Sequence, residues 1–403
     1  MVRPSLTPLY LSSVDNGVSA SQLIKRLEDD VGYHIQNVMD CGNDRFKIIK
    51  GLSAAHEMEQ KDFYEDPDAT IKDLVLCSQG ELPDRQTTPY FSMKGFFNNL
   101  QEQWQNQVHS SSRDTLQFGA NFVYGEVLTS TSTLMDANPR LLKNLPDGFT
   151  ISGTTQVSGR GRSGNVWVNP PGVLAVSTLM KLPLKSQDIS PVSFVQYIAT
   201  IAYIQAILTY GPGYENIPVR IKWPNDIYIM LPQYLGQVIP SNSTETTYAK
   251  IGGILVNTNI FNEEFHLVVG CGLNVSNAAP TTSVNLVIEE MNKRLGTKLQ
   301  KVNNEHLLAN FLAIFNSMFN RFKREGFEPF LPLYYKLWLH SDQIVHIHHK
   351  GNVRCKVTGI TKDWGFLVAK EVDFQGRFTG QTFELQPDGN SFDMFKGLIS
   401  KKQ

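Results

Sequence analysis

The chain is poor in cysteine. Its 403 residues include four cysteines, Cys41, Cys77, Cys271 and Cys355, and no two of them form a CxxC pair. Such scattered cysteines exclude a dense disulfide framework and are typical of a protein from a reducing compartment. We therefore interpret them as structural thiols and expect the protein to be cytoplasmic.

Charge of one sign and long apolar runs are also missing. Lys plus Arg number 37 against 38 for Asp plus Glu, a formal charge of -1, so no general field attracts nucleic acid or an anionic membrane. No apolar stretch approaches membrane-spanning length, and no basic segment leads into an apolar one at the N-terminus. We expect neither a membrane nor a nucleic-acid partner.

Apolar residues, in contrast, are plentiful: 41% of the chain is hydrophobic and 10% is aromatic, as in folded globular proteins. A chain of 403 residues is too long for one ordinary core, so several domains are expected. The pattern changes suggest an N-terminal extension of unknown role (residues 1–115), a central domain (116–335) and a small C-terminal domain (336–403). The polar segment Gln101 to Arg113 precedes the first boundary.

The central domain is predicted to mix strands and helices. Predicted strands run from Phe122 to Leu128, Phe149 to Val157 and Val173 to Leu182, and predicted helices run from Thr133 to Leu145 and from Pro191 to about Gly211, with Ser190 as N-cap. In the extension, Leu23, Ile24 and Leu27 share one face of a predicted helix. Short strands and turns after residue 336 predict a small β-barrel. The fold class is therefore α+β.

A glycine-rich run with two arginines lies between two predicted strands. It reads Ser158-Gly-Arg-Gly-Arg-Ser-Gly-Asn165, with Trp167 shortly after it. The glycines let successive backbone N–H groups turn toward one point, and the guanidinium groups of Arg160 and Arg162 suit a carboxylate or a phosphate. The run predicts an anion site. The alternatives are a flexible turn or an RGG-type nucleic-acid segment, although RGG tracts usually repeat and this run is single.

Two further runs contain charged residues that could lie close together. Lys222-Trp-Pro-Asn-Asp226 interrupts a strand, because Pro224 has no N–H and restricts the residue before it, so Asn225 and Asp226 can point into a cleft. Lys250 opens an apolar strand, and a hairpin between the two strands would bring it near Asp226. A bare strand kink and an edge-strand gatekeeper lysine are the alternatives.

A fourth run, Gly270 to Asn274, ends a predicted strand. Its glycines permit close approach of a ligand and would place Asn274 beside it. A β-bulge is an equally good interpretation.

Taken in order, the runs GRGRSGN-x-W, KWPND, K-x-GGIL and GCGLN resemble the motifs of biotin–protein ligases, also called holocarboxylase synthetases. The resemblance covers about Tyr124 to Gly326 and, more weakly, the C-terminal domain. The loop Tyr124 to Thr133 is similar to the eukaryotic form, and the chain resembles the fungal type. The resemblance implies a mixed β-sheet packed on helices, the biotin/lipoate ligase fold related to class II synthetases, followed by an SH3-like β-barrel.

The family pattern implies a role for each matching residue. The residues implied for biotin are Ser130, Thr131, Gln156, Gly159, Arg160 and Gly253. The residues implied for ATP are Arg162, Trp167, Lys222, Asn225, Lys250 and Asn274. Lys250, Asp226, Arg160 and Arg162 are the implied catalytic residues, and Asp226 is either the general base or a Mg²⁺ ligand.

The resemblance implies that ATP and biotin form biotinyl-5′-AMP with the help of Mg²⁺. Biotin then passes to a lysine in the carrier domain of a carboxylase, such as acetyl-CoA carboxylase or pyruvate carboxylase, and a monomer is the favoured state. In contrast to bacterial relatives, no winged helix precedes the central domain, so we expect no operator-binding repressor. Eukaryotic ligases often have a larger extension, and we expect Met1 to begin a truncated or short form.

Two other functions fit parts of the sequence. A lipoate–protein ligase shares the fold and the adenylation chemistry, but its characteristic R-R-x-S-G-G-G pattern is missing. A nucleic-acid-binding module would use Arg160 and Arg162 on phosphates, with the C-terminal barrel as a second contact.

Overall fold

The structure, a computed structural model, describes residues 4–33, 35–56, 69–108, 117–159, 169–237, 247–277, 281–387, 390–393 and 398–401. The chain forms two compact units. The first consists of Met1–Ser186, Ile254–Asn277 and Val302–Asn320, and the second of Gln187–Gly253, Ala278–Lys301 and Arg321–Gln403. The domain boundaries expected near residues 115 and 335 fall inside the first and the second unit respectively.

The strands of the described residues are, in chain order, β1 (Leu9–Ser13), β2 (Val38–Asp40), β3 (Arg45–Lys50), β4 (Lys72–Leu76), β5 (Asn121–Leu128), β6 (Thr150–Gln156), β7 (Val173–Pro183), β8 (Val219–Lys222), β9 (Asp226–Met230), β10 (Tyr248–Phe261), β11 (Glu264–Asn274), β12 (Ile344–Ile347), β13 (Val353–Ile360), β14 (Leu367–Val372), β15 (Phe378–Leu385), β16 (Asn390–Asp393) and β17 (Leu398–Lys401). The α-helices are α1 (Val18–Asp30), α2 (Leu52–His56), α3 (Met93–Val108), α4 (Thr133–Asp136), α5 (Pro139–Leu142), α6 (Val195–Leu208), α7 (Val284–Leu295), α8 (Asn304–Glu325) and α9 (Leu331–Leu337).

The first unit is built on a mixed sheet, which confirms the α+β class. Its strand order is β2-β3-β4-β1-β5-β6-β7-β11, followed by the later residues of β10. Strand β1 pairs in parallel with β4 and antiparallel with β5, with Tyr10 opposite Tyr124. The N-terminal region therefore continues the same sheet that carries the strands predicted for the central domain.

Helix α1, which was predicted from its apolar face, covers one face of this sheet. Leu23, Ile24 and Leu27 are buried and belong to a core cluster that includes Leu9 of β1 and Ile151 of β6. Burial of such side chains stabilises the folded state by about 1.5–3 kcal/mol each. The amphipathic face seen in the sequence is therefore the face that attaches the helix to the sheet.

Helix α3 was missed in the sequence, where Gln101 to Arg113 was interpreted as a polar segment leading to a domain boundary. Met93, Phe96, Phe97 and Leu100 are all buried in the structure, at the i, i+3, i+4, i+7 spacing of one helix face. The rings of Phe96 and Phe122 stack with centroids 4.2 Å apart. The polar residues after Leu100 continue this helix to Val108.

The single helix expected from Thr133 to Leu145 is in fact two short helices, α4 and α5. Asn138 separates them with φ -118° and ψ 74°, because the following Pro139 disfavours a helical conformation at the residue before it. The interruption gives Asn138 a non-helical backbone and frees its side chain for contacts outside the helix.

The second unit contains the antiparallel strands β8 and β9 and the first residues of β10. Its buried helix α6 begins at Val195 after a short 3-10 turn, rather than at Pro191 as predicted, because Pro191 has an extended ψ of 131°. The β-structure expected after residue 336 is present as a six-stranded sheet of order β15-β14-β13-β12-β17-β16.

Among the helices of the described ranges, none has the length and apolar character that a bilayer crossing requires.

The packing of α3 on the sheet predicts a large loss of stability for Phe96→Ala. Removing a buried aromatic ring leaves a cavity and should lower the free energy of unfolding by about 3–5 kcal/mol. Phe374→Ala is the matched control, because Phe374 is fully exposed, and it should change stability by less than about 0.5 kcal/mol. Urea unfolding measures both, and equal effects would contradict the packing described.

Candidate functional site

The hairpin of β9 and β10 brings together two charged residues of separate sequence motifs. Its register places Gly253 opposite Asp226 and Lys250 opposite Tyr228, with an irregularity between Lys250 and Gly252. Lys250 Nζ lies 2.8 Å from Asp226 Oδ1, and the two side chains are 41% and 24% exposed. The proximity expected from the sequence is confirmed, and both groups remain accessible to a ligand.

Gly253 lies beside this ion pair. A Cβ atom at this position would be 3.2 Å from Asp226 Oδ1 and 3.5 Å from Lys250 Nζ. A larger residue would therefore press on the pair. The resemblance assigned Gly253 to biotin, whereas the structure places it next to two residues assigned to ATP and to catalysis.

Buried groups of the second unit form hydrogen bonds with the turn from Lys222 to Asp226. The Trp223 backbone N–H donates to His340 Nε2 at 2.9 Å, and the Trp223 indole N–H donates to the Gly365 carbonyl at 3.0 Å. The Tyr334 hydroxyl donates to the Pro224 carbonyl at 3.2 Å. These contacts fix the backbone of the turn immediately before Asp226.

The charged and polar residues of this turn have different surroundings. Lys222 Nζ lies 5.8 Å from the centre of the Tyr228 ring, a cation–π distance. Asn225 is 1% exposed, so its carboxamide is part of the protein interior. Lys222 and Asp226 are directly opposite each other in the β8–β9 ladder.

His340 is a neutral hydrogen-bonding group in this arrangement. Because Nε2 accepts from Trp223, the ring proton is on Nδ1, which donates to Gln343 Oε1 at 2.9 Å. Complete burial, with a smaller contribution from the positive charge of Lys222, lowers the pKa of His340 from 6.5 to about 4, although the hydrogen bond to Gln343 acts in the opposite direction. Sequence reasoning missed His340, since nothing local distinguishes it.

A buried polar cluster lies in the first unit at the ends of β5 and β6. The Thr131 backbone N–H donates to Gln156 Oε1 at 2.8 Å, and the Thr131 hydroxyl donates to the same oxygen at 3.2 Å. The hydroxyls of Ser130 and Ser132 are 3.1 Å apart. The structure thus brings together three residues that the resemblance assigned to biotin, namely Ser130, Thr131 and Gln156.

Ser177 completes this cluster and was missed in the sequence. Its hydroxyl lies 2.8 Å from that of Thr131, and its residue is fully buried on β7. Gly270 is directly opposite Ser177 in the β7–β11 ladder, and a Cβ there would be 3.4 Å from the Ser177 hydroxyl. No local pattern singles out Ser177, because Thr178 beside it also carries a hydroxyl and only the β7–β11 register places Gly270 opposite Ser177.

The remaining predicted residues are placed as follows. Asn274 is buried at the end of β11, opposite Val173, and Gly159 is buried after β6. Arg160, Arg162 and Trp167 lie outside the described residues.

No cluster of three or more His, Cys, Asp or Glu side chains suited to a metal occurs among the residues that the structure describes. Asp226 offers one carboxylate, which fits a cation that takes its other ligands from a bound phosphate and water.

The neutral state of His340 makes stability depend on pH. As the pH falls from about 6.5 to about 4, the unfolded chain gains a proton at this residue that the folded state does not accept, so stability is lost across that interval, on the order of 3 kcal/mol. His340→Gln should lose less stability over the same interval. Urea unfolding at about pH 7 and pH 4.5 tests this, and an identical pH dependence in both proteins would refute it.

Comparison with known proteins relates the chain to one family. Residues 124–274 match the family model described as "Biotin/lipoate A/B protein ligase family". A fission yeast (Schizosaccharomyces pombe) biotin–protein ligase is 41% identical over 99% of this chain, and a human one is 33% identical over 99%. The chain spans only 60% and 48% of those two proteins.

A third relative is matched almost end to end. The Arabidopsis thaliana protein "Biotin--protein ligase 1, chloroplastic" is 30% identical, and the alignment covers 100% of this chain and 95% of that protein. The motifs and the ion pair described above lie within these alignments. The chain therefore belongs to the biotin–protein ligase family.

Proposed function

We propose that this protein activates biotin with ATP as biotinyl-5′-AMP and then transfers biotin to a lysine of an acceptor protein. The observation that carries the proposal is the Lys250–Asp226 pair, an accessible ammonium 2.8 Å from an accessible carboxylate on two paired strands. Membership in the biotin–protein ligase family supports the choice of substrates.

Adenylation requires two anions to meet, because the carboxylate of biotin must attack the α-phosphate of ATP. An ammonium beside the reacting groups reduces this repulsion and stabilises the charge that moves onto pyrophosphate. Lys250 is the group that we assign to this role. Arg160 and Arg162, assigned from the sequence, would add two guanidinium groups.

The neutral cluster of the first unit suits the ureido ring of biotin. A ureido ring has two N–H donors and one carbonyl acceptor, and the cluster offers the hydroxyls of Ser130, Thr131 and Ser177 with the carboxamide of Gln156. Uncharged, buried hydrogen-bonding groups match such a ring. The dithiolane ring of lipoate offers them no hydrogen bonds and would bind more weakly, so the cluster favours biotin over lipoate.

The carboxylate of Asp226 has two possible tasks. Mg²⁺ would be held by this carboxylate together with the phosphates of ATP, and would neutralise charge on the leaving pyrophosphate. In the transfer step, an acceptor lysine with a pKa near ~10.4 must lose a proton before it attacks the acyl carbon of biotinyl-5′-AMP and displaces AMP, and in our scheme Asp226 accepts that proton.

The acceptors that we propose are the biotin-carrier domains of carboxylases, with acetyl-CoA carboxylase and pyruvate carboxylase as examples. We further propose that the protein acts as a monomer in the cytoplasm. The four cysteines are buried free thiols, which is compatible with a reducing compartment.

Lys250→Ala should abolish biotin-dependent exchange of pyrophosphate into ATP, since it removes the ammonium assigned to the reacting phosphate. The same change at Lys362, an exposed lysine, should leave the exchange rate unaltered and serves as the matched control. Wild-type exchange by the Lys250 variant would eliminate the proposed role.

Asp226→Asn separates the two tasks of the carboxylate. If Asp226 is mainly the general base, transfer from preformed biotinyl-5′-AMP to a carrier domain should fall at least about tenfold more than adenylate synthesis. Rapid-quench measurement of each half-reaction decides this. Equal losses in both would assign Asp226 to the metal instead.

A further inference from the structure

The loop that contributes Ser130 and Thr131 to the polar cluster is continuous with helix α4. The Leu134 backbone N–H donates to the Ser130 carbonyl at 3.0 Å, and the Asp136 N–H donates to the Ser132 carbonyl at 2.8 Å. The loop and the helix are therefore joined by hydrogen bonds, so a shift of α4 would also move Ser130 and Thr131.

Asn138 holds the end of this helix. Its side-chain amide lies 3.5 Å from the Thr133 carbonyl and 3.3 Å from the Leu134 carbonyl, so it donates to the last turn of α4. The same side chain contacts Asp44 twice: its amide donates to Asp44 Oδ2 at 2.6 Å, and its oxygen accepts from the Asp44 backbone N–H at 2.7 Å. Asn138 is fully buried.

Asp44 is in turn held by Lys72. Lys72 Nζ lies 2.6 Å from Asp44 Oδ1, and the side chains are 3% and 1% exposed. A buried ion pair gains little net stability, because desolvation offsets the attraction. Here the ion pair orients the carboxylate: the lysine fixes one carboxylate oxygen, and the other oxygen then points at Asn138.

The turn between β2 and β3 supports this link from the backbone. The Asn43 N–H donates to the Ala137 carbonyl at 3.3 Å, and the Arg140 N–H donates to the Cys41 carbonyl at 3.2 Å. A Cβ at Gly42 would be 2.8 Å from the Pro139 ring. The turn therefore fits closely against the chain that joins α4 to α5.

We infer that Asp44, Lys72 and Asn138 are positioning residues for biotin, through which the N-terminal region sets the place of the Ser130–Thr131 loop. The inference rests on the proposed function, since it assigns the polar cluster to biotin. The three residues do not touch the cluster. They act on it through α4, so the N-terminal strands help to position the substrate site and are not a separate module.

Asn138→Ala tests the link and leaves the Lys72–Asp44 pair intact. The KM for biotin in pyrophosphate exchange should rise about tenfold, equivalent to about 1.4 kcal/mol, while kcat and the KM for ATP change less than about twofold. Calorimetric titration with biotin should show the same tenfold weakening. A uniform loss in all three parameters, or no change in any, would overturn the inference.

Asn144→Ala is the matched control. Asn144 also joins the N-terminal region to this segment, through a bond of 2.7 Å to Asp30 and one of 2.9 Å to the Arg140 carbonyl, but at an exposed position. Its KM for biotin should stay at the wild-type value. A tenfold rise there as well would mean that any loosening of the segment suffices, against a specific role for Asn138.

A second variant covers the case in which Asn138→Ala fails to fold. Combining Asp44→Asn with Lys72→Met removes both buried charges and keeps an acceptor for Asn138, so the fold should tolerate it. The KM for biotin should rise about threefold as the charge-assisted bond weakens, and an unchanged value would contradict the inference. Absence of exchange in the wild-type protein would instead overturn the proposed function itself.

Discussion

An ammonium and a carboxylate held 2.8 Å apart on neighbouring strands are the centre of the chemistry proposed for this chain. Neither Lys250 nor Asp226 could keep this position alone, because exposed ion pairs are weak and their side chains are flexible. The β9–β10 register fixes their backbones, and Gly253 provides the space between them. The turn before Asp226 is fixed in the same way by His340, Tyr334 and the Gly365 carbonyl.

Neutral hydrogen bonding dominates the polar cluster of the first unit. The hydroxyls of Ser130, Thr131 and Ser177 belong to buried residues, where an unpaired group would be costly, and Gln156 beside them is half-buried. Such a cluster discriminates by the pattern of donors and acceptors rather than by charge. The proposed reaction needs both kinds of group: hydroxyls and a carboxamide suit a neutral ring that must be recognised, and an ammonium suits an anion that must be activated.

The N-terminal region contributes strands to the main sheet. Its strand β1 lies between β4 and β5, so the sheet that carries the polar cluster is continuous with a region that no local pattern assigned to it. The buried Lys72–Asp44 pair then connects this region to the chain that follows the cluster. An ion pair of this kind specifies an arrangement more than it stabilises one.

Local patterns in the sequence determined much of this protein. Glycine spacing, the KWPND turn and alternating apolar residues predicted the α+β class, most central strands and the approach of Lys250 to Asp226, because each depends on neighbours along the chain. Helix α3 was also readable in principle, from the spacing of Met93, Phe96, Phe97 and Leu100. Only the tertiary structure could place β1 in the sheet, bring Ser177 to Thr131, or join Asp44 to Asn138 across 94 residues. Such contacts depend on strand order and register, which are set by the packing of the whole unit. Neither of the two segments shows a sequence periodicity that would reveal them.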